Sequence, residues 1–478
     1  MGNKNRRIIV AVISLVLVLC CCILASVVGF VTFSIIQSGS AVINNETRVT
    51  VTQESSDLQE QVVPDEIPQA NGNELPSLKN DVIVQMDKIE EQVEGIRGLT
   101  GLESIHRHLL SPDDLRYKVM NDFFGEYTAE DVEKDSLILS LFGLLERDYD
   151  LYNLYIDLYS EQIAGFYDDE TKEMVVVQGE NFLGPERMTY AHEFTHALQD
   201  QYFDLENGLK ISEENCKTNS EYCAAVQALV EGDATLTETL WLIDNSTMQD
   251  KKDLLEFYQS YNSPIFDSAP EFLKEDFLFA YKQGLSFVQT VYDQGGYAAV
   301  DQVYKSPPVT TEQILHPQSY PDDQPVSIEI GDLASVLGSN WEEIDRNNLG
   351  EWYTYLVLSK PINKDFALTD PDAADAASGW GGDQYVILRT SDSKEAALVT
   401  LSQWDSNAEA KEFWHYLSEY GEKRWGKAQD QSASRLVWEG SHETVLMVTQ
   451  TNQVLWIIAP STDILQQLSN VFPAFQQE

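Results

Sequence analysis

The chain has 478 residues, enough for two or three folded units, and its aliphatic and aromatic content supports a sizeable buried core. With 31 basic against 78 acidic residues the formal charge is −47, which repels nucleic acid phosphate and anionic lipid headgroups. That balance excludes a general nucleic-acid-binding surface and fits solubility in a salty or extracellular medium.

Lys4, Arg6 and Arg7 precede an uncharged apolar run from Ile8 to Ile36. A span needs about 20 apolar residues, and a cleavable signal peptide holds only about 7–15. The run therefore predicts an uncleaved signal anchor over residues 1–36. It would be one transmembrane helix of a single-pass cell-membrane protein, with the N-terminus cytoplasmic and the remainder outside. Residues 37–80, rich in Pro, Asn, Gln and Ser, read as a flexible linker. Cys20, Cys21 and Cys22 fall inside the apolar run. Cys216 and Cys223, spaced C-x6-C, read as one disulfide in an oxidising compartment.

From Val82 the pattern turns helical, through "VIVQMDKIEEQVEGI", "SPDDLRYKVMNDFF" and "DSLILSLFGLLE". "AGFY" and "MVVV" flank the turn-forming "DDETK" and predict a β-hairpin. A helix begins after Gly184-Pro185 and runs to about Tyr202, because proline at the first helical position loses no hydrogen bond. A second helix, "EYCAAVQALVEGDATLTETLWLI", follows the cysteine loop. The last hundred or so residues predict five strands and two helices, a compact α+β unit without a chemical motif.

The first of the two central helices carries "TYAHEFTHALQD". His192 and His196 are four apart, so a helix sets both imidazoles on one face, one turn apart. That is the separation one tetrahedral Zn²⁺ needs from two nitrogen ligands. Glu193 sits beside the first histidine, where it can act as general base toward a water on the metal without ligating the metal. A catalytic zinc keeps three protein ligands, and Glu231 in "ALVEGDATLTE" supplies a carboxylate inside an apolar run. The other histidines, His106, His108, His316, His415 and His442, lie in less suggestive contexts, and "HRH" at 106–108 reads as solvated.

"HEFTH" followed by a helix bearing "EGDA" resembles the gluzincin zinc metallopeptidases, which include thermolysin and the membrane aminopeptidases. The resemblance covers about residues 165 to 300, mostly by short motifs. It implies one Zn²⁺ per chain held by His192, His196 and Glu231, with Glu193 as the base. It gives "KEMVVVQG" the role of an edge strand that pairs with the substrate backbone. It makes Tyr281, in a Tyr-x-x-Gly segment with Gly284, the donor to the oxyanion; the competing candidate from the residues themselves is His316 in "TTEQILHPQSY", an imidazole that the following proline would hold in a turn. The aminopeptidase Gly-x-Met-Glu-Asn segment is absent, which favours endopeptidase over aminopeptidase action. The aspartate that in thermolysin orients a ligand falls here on Thr235, leaving Asp233 or Asp200 to orient a histidine.

The expected fold class is therefore α+β. A transmembrane helix precedes a largely helical zincin-like domain with a small antiparallel sheet, residues 81–365, and then a small α+β domain, residues 366–478. The expected activity is hydrolysis of peptide bonds in a peptide or protein substrate. Two rivals are a protease-like ectodomain that binds a partner or cell-wall polymer without catalysis, and a zinc amidase acting on cell-wall peptides. The oligomeric state is left open.

Overall fold

The computed structural model describes residues 78–118, 120–121, 128–169, 171–177, 181–392, 394–441 and 443–476. The architecture read from sequence is corrected at its start: among these residues no helix is long and apolar enough to cross a membrane. The longest helices interrupt their apolar runs with buried acids such as Glu231, Asp233 and Glu238. The signal anchor placed on residues 8–36 lies outside the described residues, as does most of the linker. The transmembrane helix, the single-pass cell-membrane placement and the membrane as partner are withdrawn on that finding.

The principal elements of the first part are helix α1 (Asn80–Arg97), strands β1 (His106–Leu110), β2 (Gly165–Asp168) and β3 (Glu173–Val177), and helices α2 (Gly184–Phe203), α3 (Ser220–Asp244), α4 (Glu271–Gly295) and α5 (Thr311–Leu315). Local chemistry sets their ends. Pro185 occupies the first turn of α2, and Glu186 accepts the Leu183 N–H there at 2.9 Å. Asn219 caps α3 by accepting the Tyr222 N–H. α1 stops at Gly98, whose φ of +74° suits the left-handed C-terminal cap.

The predicted hairpin is present, β2 running antiparallel to β3 from Gly165 opposite Val176 to Asp168 opposite Glu173. Its surroundings differ from expectation. β1, which contains the "HRH" read as solvated, pairs parallel with the other side of β3, giving the order β1-β3-β2. The small sheet is thus mixed rather than antiparallel, and β3 is its centre rather than an edge. The physical reason is long-range: β1 finds its partner more than sixty residues away across intervening helices, which no local pattern announces.

α3 and α4 pack against each other at very close range. A Cβ on Gly284 would lie 2.0 Å from the Ala228 carbonyl oxygen, and one on Gly232 would lie 2.2 Å from the Gly284 carbonyl carbon. The glycine of the Tyr-x-x-Gly segment is therefore what lets α4 touch the helix that carries Glu231. The Cys216–Cys223 disulfide, with Cα atoms 5.6 Å apart, closes the loop just before and into α3 as the spacing led one to expect.

The second part is a seven-stranded antiparallel sheet in the order β4-β5-β6-β10-β9-β8-β7. Its strands are β4 (Trp341–Asn347), β5 (Trp380–Thr390), β6 (Ala396–Trp404), β7 (Asp430–Gln431), β8 (Arg435–Glu439), β9 (Thr444–Gln450) and β10 (Gln453–Ala459). Helix α6 (Gly350–Ser359) follows β4, α7 (Asn407–Trp425) follows β6, and α8 (Thr462–Ser469) follows β10. The sheet begins at Trp341, ahead of the boundary at residue 366 drawn from sequence. Alternation along β10 serves two cores: Leu455 and Ile457 join Leu465 and Leu468 of α8, whereas Val454 and Trp456 join α7 and the first part. Phe142 meets Tyr385 edge-on at 5.3 Å and Trp456 at 6.2 Å, and Tyr420 donates to the Phe142 carbonyl at 3.3 Å. One apolar cluster therefore runs from Met86 and Phe277 into Trp380 and Trp404.

Gly284→Ala is expected to cost about 3 kcal/mol, at the upper end of overpacking effects, because the obstacle is helix backbone. Gly95→Ala, where nothing lies within 4 Å of the new Cβ, is expected to be neutral or slightly stabilising. Denaturant unfolding of both variants checks the contrast.

Candidate metal centre

α2 and α3 bring together four of the residues singled out from sequence. His192, Glu193 and Glu231 are 0% exposed and His196 1%. His192 Nε2 lies 3.0 Å from His196 Nε2 and 3.2 Å from Glu231 Oε2, and His196 Nε2 lies 3.6 Å from the same oxygen. Donor atoms held about 2.0–2.1 Å from a tetrahedral ion stand about 3.3–3.4 Å apart. The three atoms thus form a triangle of the size of one tetrahedral face, and the donor set fits Zn²⁺. Glu231 Oε1 is buried with no hydrogen-bond partner, which a ligated ion nearby would compensate.

Both rings are oriented by partners on their other nitrogen. His192 Nδ1 is 3.0 Å from Glu238 Oε2, a carboxylate that can only accept from an Nδ1–H. His196 Nδ1 is 2.7 Å from Gln199 Oε1. The Gln199 amide nitrogen donates to the Val230 carbonyl at 2.9 Å and to Asp233 at 3.0 Å, so its oxygen is the acceptor toward His196. Each ring therefore directs its Nδ1–H to an acceptor and its Nε2 into the triangle.

Asp233 is in turn fixed by Arg97 of α1 at 2.9 Å and by the Tyr304 hydroxyl at 2.8 Å, and Arg97 also meets Asp301 at 2.7 Å. Asp233 thus acts on His196 through Gln199 rather than directly. Asp200 plays a different part. It accepts from the Tyr167 hydroxyl at 2.9 Å and pairs with Lys172 at 2.5 Å, fastening the β2–β3 hairpin to α2.

The residues that sequence reasoning missed are Glu238 and Gln199. Their signal was helical spacing: Glu238 is seven residues after Glu231 and Gln199 three after His196, so each shares its ligand's face. At Thr235, where the resemblance expects an acid, the side chain is a buried hydroxyl. Glu238, nearly a turn further on, meets the histidine instead.

Burial and close opposite charges shift the groups of the site. Burial works to lower His192, but hydrogen bonds to Glu231 and Glu238 override it and raise the ring to about 10. Burial works upward on Glu231, yet the two histidines hold it below the ordinary carboxylate range. Glu193 is pushed up to about 7 by burial, with the histidines opposing, and both its oxygens are buried without a hydrogen-bond partner. β2 presses close to it: a Cβ on Gly165 would lie 3.2 Å from Glu193 Cγ.

Tyr281, on α4, is buried with its ring 6.4 Å from that of His192. His316 instead bonds Glu351 of α6 at 2.8 Å. The segment expected to pair with substrate, β3, already pairs on both sides; the outer strands of the sheet are β1 and β2, and Gly165 of β2 lies beside Glu193.

Residues 337–469 match a family described as a domain of unknown function (DUF8575), a stretch that covers the C-terminal sheet and none of the triad. No curated protein and no solved structure matches the chain.

If the triad holds Zn²⁺, Glu238→Ala and Gln199→Ala should each weaken its binding about 10–100-fold, since each frees one ring to turn. Competition against a chromophoric chelator measures this, and an unchanged affinity in both would remove their orienting role.

Proposed function

We propose that the chain is a zinc metallopeptidase of the gluzincin type that hydrolyses peptide bonds, with endopeptidase action favoured. The observation that carries this reading is Glu193. It is a fully buried carboxylate beside the two histidines whose oxygens meet no hydrogen-bond donor. Leaving such a group unsatisfied costs several kcal/mol by order of magnitude, so a purely structural helix gains nothing from it.

His192, His196 and Glu231 would hold a Zn²⁺, which would supply Lewis-acid chemistry for the scissile carbonyl and its attacking water. Glu193 takes a proton from the attacking water and passes it to the leaving amine, while water oxygen bonds to the carbonyl carbon and the C–N bond breaks. Gln199 and Glu238 keep both rings aimed. Tyr281, beside His192, is the donor to the developing oxyanion; His316 is committed to Glu351 and is the weaker candidate.

One observation favours a second reading. The triad and Glu193 are closed off from solvent, so turnover needs an opening motion that admits a peptide. Without that motion the centre is a buried metal site in a protein that binds a partner and does not cleave it.

The purified chain is expected to bind about one zinc, with His192→Ala, His196→Ala or Glu231→Ala losing it. Glu193→Gln should keep zinc and fold but lose about 10²–10⁴-fold in turnover on unfolded casein. Bound zinc with no cleavage of casein or cell-wall peptides by the unaltered chain would transfer the assignment to the second reading.

Tyr281→Phe should lower kcat about 10²–10³-fold with little change in KM or zinc content, and His316→Ala should leave kcat near normal. A large kcat loss confined to His316→Ala would move the oxyanion role to the histidine.

A further inference from the structure

Helix α1 packs on both α2 and α3 through one apolar stripe. Val82, Met86, Ile89 and Val93 are buried and recur at three- and four-residue spacing. The next position of that stripe is Arg97, whose side chain is 0% exposed. Packing alone calls for an apolar residue there. A buried ion pair costs desolvation, and apolar side chains of similar volume often serve stability as well or better. The cation at this position therefore needs another reason.

α1 has other holds on its neighbours. Tyr190 of α2 donates to Glu90 at 2.5 Å, and Trp241 of α3 donates to Gln92 at 3.0 Å. Arg97 itself is kept in one pose. Its guanidinium lies over the Tyr297 ring at 4.6 Å, with the stacked rings of Phe203 and Tyr304 at 5.9 and 6.0 Å. Its Nε meets Asp233 at 2.9 Å and its Nη1 meets Asp301 at 2.7 Å.

What Arg97 fixes lies two contacts from His196. Asp233 Oδ2 takes three donors: Arg97 Nε at 3.1 Å, Gln199 Nε2 at 3.0 Å and the Tyr304 hydroxyl at 2.8 Å. A carboxylate offers no donor, so Gln199 turns its NH₂ toward Asp233 and its Oε1 toward His196 Nδ1, 2.7 Å away. Taking Arg97 away would leave Asp233 a fully buried anion without that counter-charge, which favours its displacement and frees the amide.

We infer that Arg97 is a positioning residue for the candidate metal centre: from α1 it holds Asp233, Asp233 holds the Gln199 amide, and the amide aims His196. This inference rests on the reading of His192, His196 and Glu231 as zinc ligands. The contacts run from α1 through α3 to α2, so the docking of the first helix is felt at the histidine ring.

The test is the zinc affinity of the full chain, measured by competition against a chromophoric chelator, with denaturant unfolding of the metal-free proteins alongside. Arg97→Met should weaken zinc binding about tenfold, the low end of the effect of groups that stand behind a metal ligand. Arg97→Lys keeps the charge and should recover most of that loss. In a Gln199→Ala background Arg97→Met should weaken binding no further, because the amide that carries its effect is gone. Should Arg97→Met fail to fold, Arg97→Gln enters the same cycle. Equal affinity in Arg97→Met and the unaltered chain overturns the inference. So does a loss that persists undiminished in the Gln199→Ala background, which would make the arginine a packing residue. An unaltered chain that takes up no zinc would overturn the metal reading and this inference with it.

Discussion

Everything in the helical part is arranged around the burial of ionisable groups between α2 and α3. Two histidines and three glutamates share a space without solvent, and an uncompensated charge there would be expensive. Compensation comes in layers. The rings bond Glu238 and Gln199, Gln199 bonds Asp233, and Asp233 is held by Arg97 and Tyr304. Each layer draws on another element, so α1 and the residues after α4 are committed to the same geometry as His192, His196 and Glu231. Of these five groups Glu193 alone stands outside the network, both of its oxygens buried without a hydrogen-bond partner.

The close approach of α3 and α4 serves the same end. Gly232 follows Glu231 directly and meets Gly284, three residues after Tyr281. A larger side chain at either glycine would separate the tyrosine from the histidine-bearing face. The Tyr-x-x-Gly pattern thus has a packing reason for its glycine whatever the tyrosine does. The hairpin is held by an independent device, Asp200 with Tyr167 and Lys172, which keeps β2 against Glu193.

The C-terminal sheet is bound to the helical part by apolar and polar contacts alike. Phe142 inserts among Tyr385, Tyr420 and Trp456, and Arg424 donates to the Leu141 carbonyl at 3.0 Å. Around its other junction lie Glu221, Glu312, Glu351 and Asp383, all buried acids. Glu221 is raised to about 8 by burial, and Thr311 donates to it from both backbone and hydroxyl. Acidic character in this chain is therefore not confined to its surface, and part of the net charge sits at an internal boundary.

The sequence by itself determined whatever depends on neighbours along the chain. Helical spacing put His192 and His196 on one face, short runs of aliphatic, β-branched and aromatic residues marked β5, β6 and β8 to β10, and the C-x6-C loop set the disulfide. The tertiary structure decided what depends on distant partners. It turned Asp200 toward a hairpin and Asp233 toward Arg97, although both had been candidates to orient a histidine. It recruited Glu238 and Gln199, which share the faces of Glu231 and His196 but gain meaning only once two helices meet. It placed β1 beside β3 and so moved the open edge to β2, and it left no membrane-crossing helix among the described residues. Periodicity reports which way a side chain points from its own element; what lies opposite is set by packing between elements, and packing is where these assignments were made.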